Sequence, residues 1–198
     1  MKKPPMHYRT ATPLLLLLTV LGCQRPAFTV PDRKTQLGEM HYSAPVGGVT
    51  GTQSPVFVTE FLTPGNELLA IEVGTTGNPD FLVVQCLRFR YREGHSGREQ
   101  TYTVGRATDA DFAPPHRVPT GTNLIGISGR GGWYIDAIQF HFADGSSSPE
   151  YGGAGGDTTF RTLMTQRVDG SYRGEVRGLY GHAGELVEVL GLVFWPLE

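Results

Sequence analysis

The chain has two cysteines in 198 residues, 18% charged residues, and no long apolar run. Two cysteines cannot build a disulfide framework. Neither a basic stripe nor a Lys/Arg cluster is present to neutralise phosphates, which argues against nucleic acid as a partner. The longest apolar segment, Leu14 to Leu21, is too short to span a bilayer. No stretch beyond it combines a 3.6-residue apolar period with caps, so helices are not expected. The histidines at 41, 95, 116, 141 and 182 are scattered without metal-ligand spacing, and His-Glu-x-x-His is absent. No nucleophile motif is visible, and Gly-Lys-Ser/Thr does not follow the glycine cluster at 152–156. No catalytic residue, metal or cofactor is therefore expected.

Glycine is abundant: 27 residues, roughly twice the usual share. It lacks the three-residue period of collagen, and with 39% hydrophobic residues the chain is not composed like a disordered one. A packed, turn-rich, all-β domain fits this composition, and the length suits one such domain.

The first residues combine a basic start at Lys2, Lys3 and Arg9 with the short apolar run and a small-residue end, the anatomy of a secretory signal. Leu18 to Cys23 resembles a bacterial lipobox. That resemblance implies a signal peptide over 1–22 and a lipidated Cys23. The stretch that follows, with two prolines, mixed charges and no sustained period, reads as a tether or entering strand over 23–43, and the short apolar segments separated by glycine clusters beyond it as a domain over 44–198. An ordinary cleaved signal with a nearby cysteine is the plain alternative. Removing residues 1–22 leaves 14 basic against 19 acidic residues, net −5. Gln24 after the cysteine implies, by the same resemblance, sorting to the outer membrane of a bacterial envelope. A lipidated Cys23 cannot pair with Cys86, which lies in the apolar stretch Val83 to Leu87 and reads as a buried hydrophobe.

An internal repeat is the most informative feature. Asn123–Phe142 aligns without a gap on the segment ending at Phe194, pairing Gly126 with Gly178, Gly129 with Gly181 and Gly132 with Gly184. A looser copy begins at Leu69, with Gly74 placed 55 residues before Gly129 and Gly129 52 before Gly181. Each copy ends in a period-two apolar triple: Leu87/Phe89/Tyr91, Ile138/Phe140/Phe142 and Leu190/Leu192/Phe194. Such alternation buries one face of a strand and turns Arg88, Arg90, Gln139 and His141 outward. Each unit reads as strand, glycine turn, strand, with further strands in the connection. About 52 residues cannot bury a sufficient core alone, so three units should share one. A pseudo-threefold all-β body follows. A β-trefoil competes, but its usual Gln-x-Trp signature is missing from corresponding positions.

Gly129–Ile138, Gly-Arg-Gly-Gly-Trp-Tyr-Ile-Asp-Ala-Ile, resembles the G-x-x-x-D sugar-binding segment of jacalin-related lectins, and Tyr151–Phe160 resembles their glycine loop. The resemblance covers about residues 44–197 and is strongest after Asn123. It implies a β-prism I fold, three four-stranded Greek-key sheets about a pseudo-threefold axis. It also implies a non-catalytic lectin for mannose- or glucose-type glycans. Asp136 would hold two ring hydroxyls, the amides of Trp133 and Tyr134 beyond Gly132 the ring oxygen and exocyclic hydroxyl, and the Gly156 N–H, beside Gly155, a third hydroxyl. The residue chemistry agrees. A carboxylate accepts from two hydroxyls at once, aromatic rings offer an apolar wall with a polar edge, and bare glycine backbone brings N–H groups close to a ligand.

Gln85 and Glu188 stand in place of Asp136 in the other copies, and Glu185 in place of Trp133. One competent site is expected, with a weaker second around Gly184 and Glu188. Single-site binding is weak, so avidity would come from clustering on a membrane or from a homo-oligomer. Two other readings stay open. One is a structural or protein-interaction module on the same fold. The other is a carbohydrate-active enzyme using acids such as Glu185 and Glu188, whose separation the sequence does not give.

Overall fold

The computed structural model describes residues 34–35, 38–48, 56–78, 81–164, 170 and 174–196. The leader expected over 1–22, Cys23, and residues 24–33 lie outside them. Every regular element among the described residues is a strand.

A two-stranded ribbon, β1 (Lys34–Thr35) with β2 (Gly38–Glu39), precedes the short strands β3 (His41–Tyr42), β4 (Val46–Gly47) and β5 (Val56–Thr59). Then come the long hairpin β6 (Glu67–Thr76) and β7 (Val83–Arg92), followed by β8 (Glu99–Gly105), β9 (Asp111–Phe112) and β10 (His116–Arg117). The next group is β11 (Leu124–Gly131), β12 (Ile135–Phe142), β13 (Tyr151–Gly152) and β14 (Thr158–Leu163). The hairpin β15 (Gly174–Ala183) and β16 (Val187–Pro196) ends the chain's described part.

Apart from the β1–β2 ribbon, these strands form three antiparallel sheets, each a long hairpin flanked by shorter strands. In sheet I the order is β10-β6-β7-β8, with β9 continuing the β10 edge along β6. Sheet II runs β13-β12-β11-β14, and sheet III β3-β16-β15-β5, with β4 continuing the β3 edge along β16. Three sheets thus repeat about a pseudo-threefold axis, which is the β-prism I arrangement. Sheets I and II are each contiguous in sequence. Sheet III is assembled from both ends: the hairpin comes last, and its flanking strands come first. Met40 is buried, and His41 and Tyr42 pair with Phe194 and Val193.

The apolar triples do what their alternation predicts. Leu87, Phe89, Ile138, Phe140, Phe142, Leu190 and Leu192 are buried in one cluster, with Tyr91 and Phe194 packed against it. The Phe89 and Phe140 rings meet edge to face across sheets I and II at 5.9 Å, and Phe61 leans on Phe89 at 4.9 Å. Cys86, on the face of β7 that it shares with Arg88, is also fully buried, and burial pushes its thiol up to about 11.

One alignment detail needs correction. Ile138 lies opposite Gly129 and Leu190 opposite Gly181, but Leu87 lies opposite Val73. The first copy is therefore displaced by one residue, and Gly74 corresponds to Arg130 and His182. Gly74 is glycine for a local reason: a Cβ there would stand 2.8 Å from Ala110 Cβ and 3.1 Å from the Phe112 ring.

Candidate functional site

The hairpin tips at one end of the prism carry the predicted residues. In sheet II, β11 and β12 are joined by Gly132–Tyr134, a tight tip closed by the Gly132 N–H donating to the Tyr134 carbonyl at 3.0 Å. Asp136 is the second residue of β12 and is half-buried. Its main-chain carbonyl accepts the Gly153 N–H at 2.9 Å, which pins the start of the glycine loop to this strand. The loop then crosses from β13, at the β12 edge, to β14, at the β11 edge. It must therefore pass over the tip.

That passage requires glycine. Gly152 has φ +112°, and a Cβ on it would run into the Asp136 carbonyl. A Cβ at Gly155 would stand 2.5 Å from Asp136 Oδ1, and one at Gly156 would stand 2.8 Å from Oδ2 and 2.9 Å from the Gly131 backbone. Gly156 also has φ +76°, in the left-handed region that glycine takes without a Cβ penalty. Arg130 fastens the loop from below, its Nε donating to the Gly155 carbonyl at 3.2 Å.

Gly132, Asp136, Gly155 and Gly156 are thus brought together, with Trp133 and Tyr134 adjoining on the tip. The Trp133 side is 66% exposed, so its ring is offered to solvent and not spent on the core. Burial raises the Asp136 carboxyl above the ordinary aspartate range. The Arg130 guanidinium opposes that rise, the Asp157 charge adds to it, and the Gly132 N–H lowers it. A partly desolvated carboxylate beside bare amide edges is suited to accept hydrogen bonds from neutral hydroxyls.

The other two tips are built alike but differ in chemistry. Gly47, Gly105 and Gly152 occupy equivalent positions. Each has positive φ, and a Cβ on each would run into the carbonyl of Glu188, Gln85 and Asp136 respectively. In sheet I the Gln85 side chain is buried, and its Nε2 donates to the Thr108 carbonyl at 3.1 Å. That amide serves its own loop. In sheet III Gly184 closes the tip by donating to the Leu186 carbonyl at 3.1 Å, but Glu188 is buried at 5% exposure. Glu185 stands where sheet II has Trp133 and forms an ion pair with Arg106 at 2.8 Å. Glu188 lies against Gly47 of its own sheet, where a Cβ would run into the Glu188 carbonyl.

Sequence reading missed several neighbours of the site. Asp157 lies beside Gly132, since a Cβ at Gly132 would meet its Oδ1 at 3.5 Å. Gly48 reaches the site from sheet III, and a Cβ there would overlap the Gly132 carbonyl. Leu82, at the tip of sheet I, backs the glycine loop: a Cβ at Gly153 would stand 2.7 Å from its carbonyl. The signal for Gly48 was the pair Gly47–Gly48 itself, which matches Gly152–Gly153 once sheet III is seen to take its flanking strands from the start of the domain. Among the described residues, no three His, Cys, Asp or Glu side chains gather so as to hold a metal ion.

No protein-family model and no curated protein sequence matches this chain. Solved structures do. The agglutinin of Calystegia sepium superposes with a TM-score of 0.58 at 22% identity, covering 79% of this chain and 97% of that one. Malaysian banana lectin gives 0.57 at 14% identity, covering 79% and 99%. A mannose-binding jacalin-related lectin from Ananas comosus gives 0.55 at 18% identity, covering 80% and 99%. At these identities the likeness concerns the fold.

Proposed function

We propose that this chain is a non-catalytic carbohydrate-binding protein whose site is the sheet II tip. In this reading Asp136, the amides of Trp133 and Tyr134, and the Gly155–Gly156 backbone hold one mannose- or glucose-type residue. The observation that carries it is the fit of the glycine loop around the Asp136 carboxylate. Gly155 and Gly156 lie where any side chain would collide with its two oxygens, so bare backbone stands beside the carboxylate. Solved neighbours with the same fold include Calsepa lectin in complex with a biantennary N-glycan and artocarpin in complex with mannotriose. Those ligands belong to those proteins, and they support the choice of probe here.

In the same reading the body is acidic and held at a bacterial outer membrane through a lipid on Cys23, and weak sites gain avidity by clustering there. The Gly184–Glu188 tip is a weaker second site at most, because Glu188 is buried and Glu185 is engaged by Arg106.

Calorimetric titration with methyl α-mannoside and methyl α-glucoside, with galactoside as control, tests the site. Binding of the first two that is lost in Asp136→Ala supports it. Binding that survives that substitution, or no binding on a broad glycan array, removes it. The mass of the mature N-terminus tests the anchor, and an unmodified start elsewhere than Cys23 would sink it.

A further inference from the structure

A groove of about 430 Å³ runs along the side of the sheet II tip, between sheets II and III. One wall is Pro45 to Gly48 of sheet III, and the other is Asp157, Thr158 and Phe160 at the start of β14. Gly131, Gly132 and Trp133, at the end of β11 and the start of the tip that leads to Asp136, complete its lining. The groove exists because four of its lining residues are glycines. A Cβ at Gly131 would stand 3.4 Å from the Gly47 Cα, and one at Gly48 would overlap the Gly132 carbonyl, so the two sheets meet backbone to backbone.

Resting on the reading of Asp136 as the first sugar position, we infer that this groove is a second subsite, taking the next residue of a linear oligosaccharide bound at the sheet II tip. The groove adjoins the Asp136 site: Gly132 and Asp157 line the groove, and a Cβ at Gly132 would meet Asp157 Oδ1 at 3.5 Å and the Gly156 Cα at 3.7 Å.

The chemistry of the walls suits a pyranose. Such a ring needs an apolar surface for its C–H face and hydrogen-bonding groups at its rim. The exposed Trp133 ring, Phe160 and Pro45 supply the first. The Asp157 carboxylate and the Thr158 hydroxyl supply the second. Thr158 Oγ1 donates to Asp157 Oδ1 at 3.2 Å, which orients the pair. The volume falls in the range of small-ligand clefts and exceeds what one bound water cluster needs. A flat protein partner would leave this depth unfilled.

The test compares methyl α-mannoside with α-linked mannotriose, and methyl α-glucoside with maltotriose, by calorimetry on the whole protein. One or two added hydrogen bonds and a stacked ring should give the trisaccharide an affinity about tenfold higher than the monosaccharide. Thr158→Trp fills the groove from one wall and Pro45→Trp from the other. Both positions are exposed, so the fold should survive, which circular dichroism checks. Each variant should erase the trisaccharide's advantage while leaving monosaccharide affinity within about twofold. Equal affinity for both ligands in the unmodified protein would overturn the subsite while leaving the Asp136 site standing. Variants that weaken both ligands equally would overturn it as well. No binding of any of the four probes would overturn the subsite together with the reading on which it rests.

Discussion

Asp136 shows how a residue proposed for binding can cost stability. Its carboxyl is raised, chiefly by burial, so the folded protein holds that proton more tightly than the unfolded chain does. Ionising it therefore costs stability as pH rises from the unfolded value through the folded one, and below that window the cost is absent. Asp136→Asn should accordingly leave the melting temperature at pH 7 unchanged or higher, while weakening sugar binding by about tenfold or more through loss of charged acceptors. The same shift sets a pH dependence for binding. Affinity should be flat near neutrality and fall on acidification at a higher pH than an ordinary aspartate would dictate, read by titrations stepped from pH 7.5 to 4. An affinity that stays level across that range would remove Asp136 as an acceptor. Cys86 makes the opposite case, a thiol that was legible as buried from its apolar neighbours alone. Fully buried and pushed up to about 11, it should resist a thiol reagent at pH 8 in the native protein and react at once on denaturation. Asp157 was not legible, because its neighbour across the tip, Gly132, lies 25 positions earlier in the chain.

At the scale of elements, hairpins and glycine loops were readable, but their partners were not. The period-two triples and the turn glycines placed the three long hairpins, since alternation and positive-φ turns are local properties. Which loop touches which tip depends on how sheets are ordered in space. The structure shows a cycle. Gly153 of sheet II lies on Leu82 at the tip of sheet I, and Gly48 of sheet III on Gly132 at the tip of sheet II. Arg106 of sheet I closes the ring on Glu185 at the tip of sheet III. The three contacts are equivalent in place and unequal in kind. Gly48→Ala puts a Cβ into the Gly132 carbonyl and must push the tip or its own loop aside. It should weaken sugar binding several-fold although Gly48 is on another sheet, while Arg106→Ala should leave both binding and stability nearly unchanged. The Arg106–Glu185 pair is exposed on both sides, and such pairs contribute little, about 0–1 kcal/mol. A Gly48→Ala protein with unaltered affinity, measured beside Arg106→Ala, would show that the tip is not braced by its neighbour. The one-residue slip of the first copy has the same root as the missed contacts: Gly74 makes room for Phe112, a neighbour no repeat alignment contains.

The whole molecule is closed by a join that a linear repeat does not reveal. A sequence of three units suggests three successive sheets, yet sheet III draws β3, β4 and β5 from the beginning of the domain and β15 and β16 from its end. Ser43 fastens the join. Its N–H donates to the Leu192 carbonyl at 3.0 Å, its hydroxyl oxygen accepts the Leu192 N–H at 2.9 Å, and its carbonyl accepts the Tyr180 hydroxyl. Ser43→Ala leaves the Leu192 N–H without that acceptor in a buried strand, at about 1–3 kcal/mol. For a chain of this size that lowers the melting temperature by roughly 2–4 °C per kcal/mol. Truncation separates the join from the tether. A chain beginning at Lys34 keeps every strand described here and should fold, bind monosaccharide with unchanged affinity, and stay in solution. Its binding to a glycan-coated surface should then be weaker than that of the full chain if, as proposed, a lipid on Cys23 clusters the protein on a membrane. A chain beginning at Thr50 lacks β3 and β4, leaves the β16 edge unpaired beside Val193 and Leu190, and should aggregate or melt without a cooperative transition. Calorimetric melting of the two truncations decides the matter. A sharp transition in the shorter chain would mean that sheet III stands without the first strands, and the prism would then be closed by its hairpins alone.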